Sequence, residues 1–350
     1  MKKILLTLTL LVLSIQTTSA QEIYQESQDV YSTEDIFSKV KAYPNTKVLI
    51  RSALSLSGDL TIETGDQDIA EIVYTKKAKT KSKSQAIDFI DLISADLEVT
   101  PDGIRISLRA PNPAPWSGTN YSGRIELTLI IPDFCEVEID AMHFNVEAEG
   151  PFDSFSIPQT FGRIDISNVI ESLNIVASNR KVSASGLSGD IYISTTNAEL
   201  EVQDVTSVDK KVELRNDNGD IVGSDISGEL FIRTSYGKIE LENLKLSGDN
   251  NYIRSEYGPI LLDIISCKTE NISITNKHED IELNLPYTIS SSLSLAVEEG
   301  GKIEVTDLKL KPELVTKNRL ILNVKDGETV INGSIRGSGN IYLRGHDTGE

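Results

Sequence analysis

A period of about twenty residues runs through the second half of the chain. Aliphatic residues return at spacings of 18 to 22 residues, with a further apolar position two residues after most of them and another seven or eight residues before. This pattern predicts that each unit consists of two short strands separated by a corner, because every period contains two separate sets of apolar positions. The aliphatic anchors of the units are Ile164, Val182, Leu200, Ile221, Ile239, Ile260, Ile281 and Ile303.

The corner of each unit has its own residue preference. Glycine lies two positions before the anchor in five of the eight units, and asparagine lies one position earlier in two others. Glycine reaches positive φ without a Cβ clash and asparagine is the next best residue there, so we expect a tight bend at each corner. The residues concerned are Gly162, Gly219, Gly237, Gly258 and Gly301, with Asn179 and Asn197.

One unit of this size cannot bury its apolar stripe alone, so the units are expected to stack over one continuous core. The prediction is an all-β fold: a single parallel β-solenoid (β-helix) with about 18–22 residues per coil, a short N-terminal helix and capping strands. Parallel crossovers are overwhelmingly right-handed, which favours a right-handed coil, although no residue pattern in the sequence determines the handedness directly.

The N-terminus has the pattern of a secretory signal peptide. Lys2 and Lys3 precede an apolar run at 4–15, and small residues follow at 18–20. The run is too short to span a bilayer, so we expect export to the periplasm, the cell surface or beyond, with no transmembrane segment after cleavage. The predicted divisions are a signal peptide at 1–20, a polar leader at 21–45, an N-terminal β region at 46–150, repeated coils at 151–310, C-terminal coils and a cap at 311–345, and a disordered tail at 346–350.

A short helix is considered at Thr33–Val40 of the polar leader. The N-terminal β region contains three local features. The first is the run of five lysines in Lys76–Lys83, which predicts a solvated loop. Ser84 is expected to cap a second short helix with Ile87, Phe89 and Ile90 on its apolar face. The prolines of Pro111–Trp116 predict a surface excursion.

Charge and cysteine content limit the partners. The net charge of -19 argues against nucleic acid, so the expected partner is an unknown envelope protein or a glycan. Cys135 and Cys267 are the only cysteines, and both a disulfide and two unpaired thiols are compatible with an exported chain. The three histidines lack metal-ligand spacing and no nucleophile or phosphate-binding motif occurs, so we expect no catalytic residue, metal or cofactor.

The most specific surface prediction is a row of arginines. Arg215, Arg233 and Arg254 each follow a residue expected to point inward, so stacked units would place them in one outward ladder. The ladder either clamps an acidic glycan or pairs with neighbouring carboxylates. Trp116, the only tryptophan, either stacks on a sugar or anchors its own loop.

Two further clusters have structural explanations. The run Asn216–Asp220 has oxygen ligands on alternate residues, as in part of a calcium loop, but it enters a strand, which favours an Asx-rich turn. Tyr236 and Tyr257 precede corner glycines in consecutive units and are expected to stack and brace the corner.

The chain resembles the bacterial β-strand repeat proteins described as putative adhesins, a domain of unknown function related to the head domain of putative autotransporter adhesins. The resemblance covers roughly residues 46–345 and rests on Leu129–Pro132 before Val137 and Ile139, on units such as Gly237–Leu241, and on Gly339–Leu343. It implies a β-helix, export and no assigned catalytic residues.

From the residues and this resemblance we expect an exported, non-enzymatic, adhesin-like interaction or scaffold module of the cell envelope. An acidic-glycan-binding protein or a polysaccharide lyase or hydrolase of the β-helix type is one alternative, and an envelope-stress accessory protein is another.

Overall fold

A computed structural model describes residues 22–65, 68–308, 313–325 and 327–347; the predicted signal peptide lies outside these ranges. The described residues form 27 strands, all connected in one sheet, and one helix. Side chains alternate between a buried and a solvent-facing side along almost every strand, as expected for a sheet that wraps around a single core.

The N-terminal half contains the helix and the shorter strands. Its elements are β1 (Ile23–Ser27), β2 (Val30–Thr33), β3 (Ile36–Lys41), β4 (Lys47–Ser52), β5 (Ser57–Gly65), β6 (Ile69–Lys79), α1 (Lys83–Asp91), β7 (Ser94–Thr100), β8 (Gly103–Arg109), β9 (Ser122–Pro132), β10 (Cys135–Asp140), β11 (Phe144–Thr160) and β12 (Ile164–Ser178).

The remaining strands continue the sheet to the C-terminus. They are β13 (Val182–Ser188), β14 (Asp190–Thr196), β15 (Leu200–Asn216), β16 (Ile221–Thr234), β17 (Ile239–Leu246), β18 (Asn250–Ser255), β19 (Ile260–Cys267), β20 (Asn271–Asn276), β21 (Ile281–Pro286), β22 (Ser291–Val297), β23 (Ile303–Thr306), β24 (Leu314–Val315), β25 (Arg319–Val324), β26 (Thr329–Ile335) and β27 (Ile341–His346).

The register predicted from the period is confirmed between Ile164 and Ile281. Each anchor in this range lies opposite the next one in a parallel pair, and we call these segments the first row. The segments seven residues before the anchors pair in the same way from Ile157 to Ile274, and we call them the second row. The next position of this row, Leu295, does not pair with Ile274, because Gly333 of β26 lies between them and pairs with both.

Both rows face one continuous core. Ile221, Ile239 and Ile260 are fully buried, as are Ile232 and Ile253 of the second row. Burying an aliphatic side chain of this size contributes about 1.5–3 kcal/mol, so the repeated unit is held to its neighbours mainly by these contacts.

The corners are tight for a different reason from the one predicted. Asn179 and Asn197 have φ of 65° and 62°, as expected, but the corner glycines do not have positive φ. At Gly258 a Cβ atom would lie 1.8 Å from the carbonyl oxygen of Gly237, and at Gly237 it would lie 1.8 Å from that of Gly219. Glycine is therefore required here because adjacent backbones approach closely.

The predicted single parallel β-solenoid, with its right-handed coil, is wrong as a description of the chain. Antiparallel pairs join β1–β2, β2–β6, β3–β6, β6–β9, β7–β8, β22–β25 and β24–β25. The strand order also departs from the chain order. The result is a mixed, barrel-like sheet in which the periodic segments pair in parallel, as do β4 with β8 and β5 with β9.

The departures from chain order lie at both ends of the periodic segments. β4 lies between β8 and β10, and β5 lies between β9 and β11. At the other end, β26 lies between β20 and β22, and β27 lies between β21 and β23. Ile303 is therefore not the neighbour of Ile281, because Ile341 pairs with both.

Several local predictions for the N-terminal region need correction. The helix considered at Thr33–Val40 is wrong, because β3 occupies most of that segment and pairs with β6. The lysine run is not a loop throughout, because β6 continues to Lys79 and Lys77 pairs with Glu26 at 2.9 Å and Glu126 at 2.7 Å.

The second predicted helix is confirmed as α1, with Phe89 and Ile90 buried. Two details are wrong: Ile87 is exposed, and Ser82 is the N-cap in place of Ser84. No helix in the described part of the chain has the length and apolar content that a membrane crossing needs. His346, which the sequence places in the tail, is the last residue of β27, and its Nε2 lies 3.2 Å from Asp263.

Candidate functional site

The three predicted arginines lie side by side on the solvent side of the second row. Arg215 of β15 is directly opposite Arg233 of β16, which is directly opposite Arg254 of β18. Each follows a fully buried residue, so strand alternation turns the arginine outward. In the structure the three arginines form one outward row, and their binding of a ligand stays a prediction.

The arginines differ in their ion pairs. Arg215 pairs with Glu213, and Arg254 pairs with Glu256 at 3.1 Å; in both cases the carboxylate lies two residues away in the sequence. Across the described ranges, the exposed side chain of Arg233 has neither an ion pair nor a hydrogen bond. The ladder therefore holds one uncompensated positive charge at its centre.

A row of aromatic residues runs beside the ladder. Phe231 of β16 and Tyr252 of β18 are opposite each other, two residues before Arg233 and Arg254, and both are partly exposed. Lys211 Nζ lies 4.9 Å from the centroid of the Phe231 ring, and Arg215 Cζ lies 5.7 Å from that of Tyr192. Cation–π contacts therefore hold positive charge over the rings.

The corner that follows β16, β18 and β20 carries a second aromatic group. Tyr236 and Tyr257 stack with centroids 5.0 Å apart, and Tyr257 stacks on His278 at 4.9 Å. Lys277 Nζ lies 5.6 Å from the Tyr257 ring and 3.6 Å from Glu256. The stacking of the two tyrosines was predicted, and the structure extends it by one residue.

We call the surface formed by these three groups the arginine face. It comprises Tyr192, Lys211, Arg215, Phe231, Arg233, Tyr236, Tyr252, Arg254, Tyr257, Lys277 and His278. The Tyr252 side chain and the carboxylate of Glu256 raise the pKa of the Arg254 guanidinium above its ordinary value. The face thus holds five lysine and arginine side chains, with Glu213 and Glu256 among them, on a chain whose net charge is -19.

Trp116, the fourth predicted site residue, is not on this surface. It is only 5% exposed, its Nε1 donates a hydrogen bond to the carbonyl of Ser55 at 2.8 Å, and its ring packs on Phe89 at 5.2 Å. Trp116 therefore anchors its own loop, the second of the two roles considered.

The run Asn216–Asp220 forms a turn braced by asparagine side chains. The Gly219 N–H donates to Asn216 Oδ1 at 3.0 Å, and Asn216 Nδ2 donates to the carbonyls of Ala198 and Asp220. Asn218 Nδ2 donates to Asn197 Oδ1 at 2.6 Å. These contacts agree with the Asx-rich turn.

Two adjoining hollows, of about 540 and 620 Å³, lie on the first row, away from the arginine face. Both are lined by Arg163, Asp165 and Lys181. Lys181 pairs with Glu199 at 2.7 Å and Glu201 at 2.6 Å, and Arg163 pairs with Asp165 at 3.2 Å. The charges of the smaller hollow are therefore compensated within the protein. The larger one is also lined by Arg180, whose side chain has no ion pair or hydrogen bond within the described residues.

Neither cysteine is in a disulfide. Cys135 is buried and Cys267 is partly buried, and burial raises the pKa of the two thiols to about 11 and about 12. Of the two states compatible with the sequence, the structure has the unpaired thiols.

Neither a scan against protein-family models nor a search of curated proteins gave a match. The solved structures to which the chain is similar include three from bacteria. The structure of a "putative lipid binding protein" from Parabacteroides distasonis has a TM-score of 0.38 at 10% identity, covering 88% of this chain and 96% of its own.

The other two are named as adhesion proteins. A "putative adhesin" from Parabacteroides distasonis has a TM-score of 0.33 at 10% identity, covering 89% of this chain and 97% of its own. A "putative cell adhesion protein" from Clostridium sporogenes has a TM-score of 0.20 at 12% identity, covering 89% and 99%. These names match the resemblance stated from the sequence. At such TM-scores the similarity carries no conclusion about function.

Proposed function

We propose that the protein is exported and acts without catalysis as an adhesin-like interaction module of the cell envelope, with the arginine face as its binding surface. The observation that carries the proposal is the unpaired charge of Arg233 between two other arginines. Like charges directly opposite each other on adjacent strands destabilise a sheet. A bound anion would offset this repulsion, so the row of arginines is what an anion-binding surface requires.

The rigidity of the surface supports the same role. Buried residues lie directly beneath the ladder, among them Leu214, Ile232 and Ile253, and each is 0% exposed. A face on packed strands presents its side chains at fixed spacing, so little order has to be gained on binding. The arginine face also contrasts with the smaller of the two first-row hollows, in which Arg163 and Lys181 already have partners.

The test is binding of the purified protein to isolated cell envelopes. One variant replaces Arg215, Arg233 and Arg254 by Gln; a matched variant replaces Arg163, Lys181 and Lys238 of the first row by Gln and so removes the same charge. We expect the first variant to lose at least tenfold in affinity and the second to bind like the wild type. Equal binding by the first variant and the wild type would overturn the proposal.

Export is tested separately by cell fractionation of the full chain. We expect recovery from the periplasm or the cell surface and retention in the cytoplasm when residues 1–20 are deleted. Recovery of the full chain from the cytoplasm alone would contradict export.

A further inference from the structure

Resting on the proposed function, we propose that the ligand of the arginine face is an acidic polysaccharide. Its chain would run across the strands, along the arginine ladder. Carboxylates of successive uronic acid residues would pair with Arg215, Arg233 and Arg254, and the sugar rings would pack on Phe231 and Tyr252.

The first step of the argument is charge. Guanidinium groups bind carboxylates through two parallel hydrogen bonds, and the central guanidinium of the ladder has no partner among the residues described. Arg215 and Arg254 have their glutamates on the sides of the ladder, at Glu213 and Glu256. A ligand with several regularly spaced carboxylates would contact all three arginines of the ladder, whereas a single anion would contact only one.

The second step is the aromatic row. Phe231 and Arg233 are two residues apart on one strand, so they project from the same side about 6.6 Å apart, and Tyr252 and Arg254 repeat the arrangement on the next strand. A uronic acid has an apolar ring face and a carboxylate attached to the ring. It is therefore matched to an aromatic ring beside a guanidinium.

The sequence repeats this pairing in a recognisable form. Phe231–Ile232–Arg233 and Tyr252–Ile253–Arg254 are 21 residues apart, and Tyr236 and Tyr257 follow each arginine at the same distance. Each of the two strands, together with the corner that follows it, therefore presents a ring, a guanidinium and a second ring. A chain molecule built of identical units would meet the same set of groups at both strands.

The third step is spacing. Adjacent strands are about 4.8 Å apart, so the arginines repeat at that distance. Same-side residues of an extended peptide repeat at about 6.6–6.8 Å, so an extended acidic peptide does not match the spacing of the ladder beyond one interval. A polysaccharide matches it where its glycosidic bonds turn successive carboxylates to the same side, and penta-glutamate is the comparison ligand that tests this distinction.

The ladder also limits the length of ligand that gains affinity. Ser194 and Thr275 occupy the positions next to Arg215 and Arg254. Beyond them the net negative charge of the protein repels further carboxylates. Affinity is therefore expected to rise with the number of uronic acids up to about four and then to level off.

The experiment is calorimetric titration of the purified full chain with oligogalacturonates of two, four and six residues. The comparison ligands are the methyl-esterified tetramer, penta-glutamate and inorganic sulfate. The variants are Arg233→Ala, Phe231→Leu and, as a control on the first row, Arg163→Ala, each checked for an unchanged melting temperature. If the melting temperature of Arg233→Ala or Phe231→Leu is lowered, that variant is replaced by Arg233→Gln or Phe231→Met, respectively.

We expect the acidic tetramer to bind, the dimer to bind more weakly, the hexamer to bind like the tetramer, and the esterified tetramer not to bind. Arg233→Ala should weaken tetramer binding at least tenfold, since hydrogen bonds to charged groups are worth more than neutral ones. Phe231→Leu should weaken it several-fold, and Arg163→Ala should leave it unchanged. Raised salt should weaken all acidic ligands.

The proposal is overturned if penta-glutamate or sulfate binds as tightly as the tetramer, or if tetramer binding is indifferent to both Arg233→Ala and Phe231→Leu. Failure of every oligogalacturonate, with envelope binding still dependent on the three arginines, would reject the ligand class and leave the proposed function standing. Loss of that dependence would reject both.

Discussion

Tyr236 and Tyr257, 21 residues apart in the chain, stack with their ring planes within 8° of parallel. They follow β16 and β18, at the corner that leads from the second row to the first. The stack continues to His278, so Tyr257 has a ring on both of its faces. Both tyrosines are well exposed, at 62% and 42%, so the stacking contributes to stability largely without burial.

Replacing Tyr257 by Ala should destabilise the protein by about twice as much as replacing Tyr236 by Ala, because it removes two ring contacts. Each aromatic contact is worth about 0.5–1.5 kcal/mol beyond burial. Guanidinium unfolding measures the difference, with Tyr257→Phe as a control that keeps both contacts. Equal losses in the free energy of unfolding for Tyr236→Ala and Tyr257→Ala would show that the second ring contact of Tyr257 does not stabilise the fold.

Gly258→Ala should cost about 1–3 kcal/mol, the usual range for inserting an atom into a packed site. The added Cβ would collide with the carbonyl of Gly237, a backbone group that cannot rotate away. Gly65→Ala is the control, because its Cβ would meet only the Ile130 Cγ2 methyl at 3.2 Å. Melting temperatures of the two variants measure this, and a Gly258→Ala protein as stable as the control would contradict the close approach.

Arg233→Gln should leave stability unchanged or raise it by up to about 1 kcal/mol at low salt, since it removes a like charge from between two arginines. Arg163→Gln, which breaks an ion pair with Asp165, should not raise stability. Urea unfolding at two salt concentrations makes the comparison. If Arg233→Gln destabilises the protein at low salt, Arg233 has a stabilising role that the ladder does not explain.

The two thiols should make stability fall in alkaline solution. Burial raises their pKa from 9.0 to about 11 for Cys135 and about 12 for Cys267. Below pH 9 both the folded and the unfolded chain keep these protons; above it the unfolded chain loses them first. The contribution is therefore complete below pH 9 and is lost as the pH rises toward 11 and 12.

Unfolding free energies between pH 8 and pH 10.5 test this, with a Cys135→Ala/Cys267→Ala double variant as the control. The decline with pH should be shallower in the double variant. The native protein should also react slowly with thiol reagents at pH 8 and yield two thiols after unfolding. Parallel pH profiles for the two proteins would show that the thiols titrate alike in both states.

The sequence predicted the parallel pairing of its periodic segments because those contacts join neighbouring units with the same apolar spacing. Ile221, Ile239 and Ile260 are opposite one another as expected. The insertion of Ile341 between Ile281 and Ile303 was not predictable from the period. All three residues fit the same pattern, and their order in space depends on contacts about 40–60 residues apart.

The candidate site was predictable in part for the same reason. The three arginines follow buried residues at a constant offset, so their alignment follows from strand alternation. Phe231 and Tyr252 were missed although they share that periodicity, because Glu213 interrupts the aromatic row. Trp116 lies in a loop without periodicity, and its hydrogen-bond partner Ser55 is 61 residues away in the sequence. The residues around Trp116 therefore did not indicate that it is buried.

The position of β26 and β27 has a consequence for how the molecule can be made. Each of these strands lies between two strands that precede it in the chain. A polypeptide truncated after Val324 would lack an internal layer and leave β20 and β21 without a neighbour on that side. The sheet around β20–β23 can therefore be completed only after β26 and β27 have been synthesised.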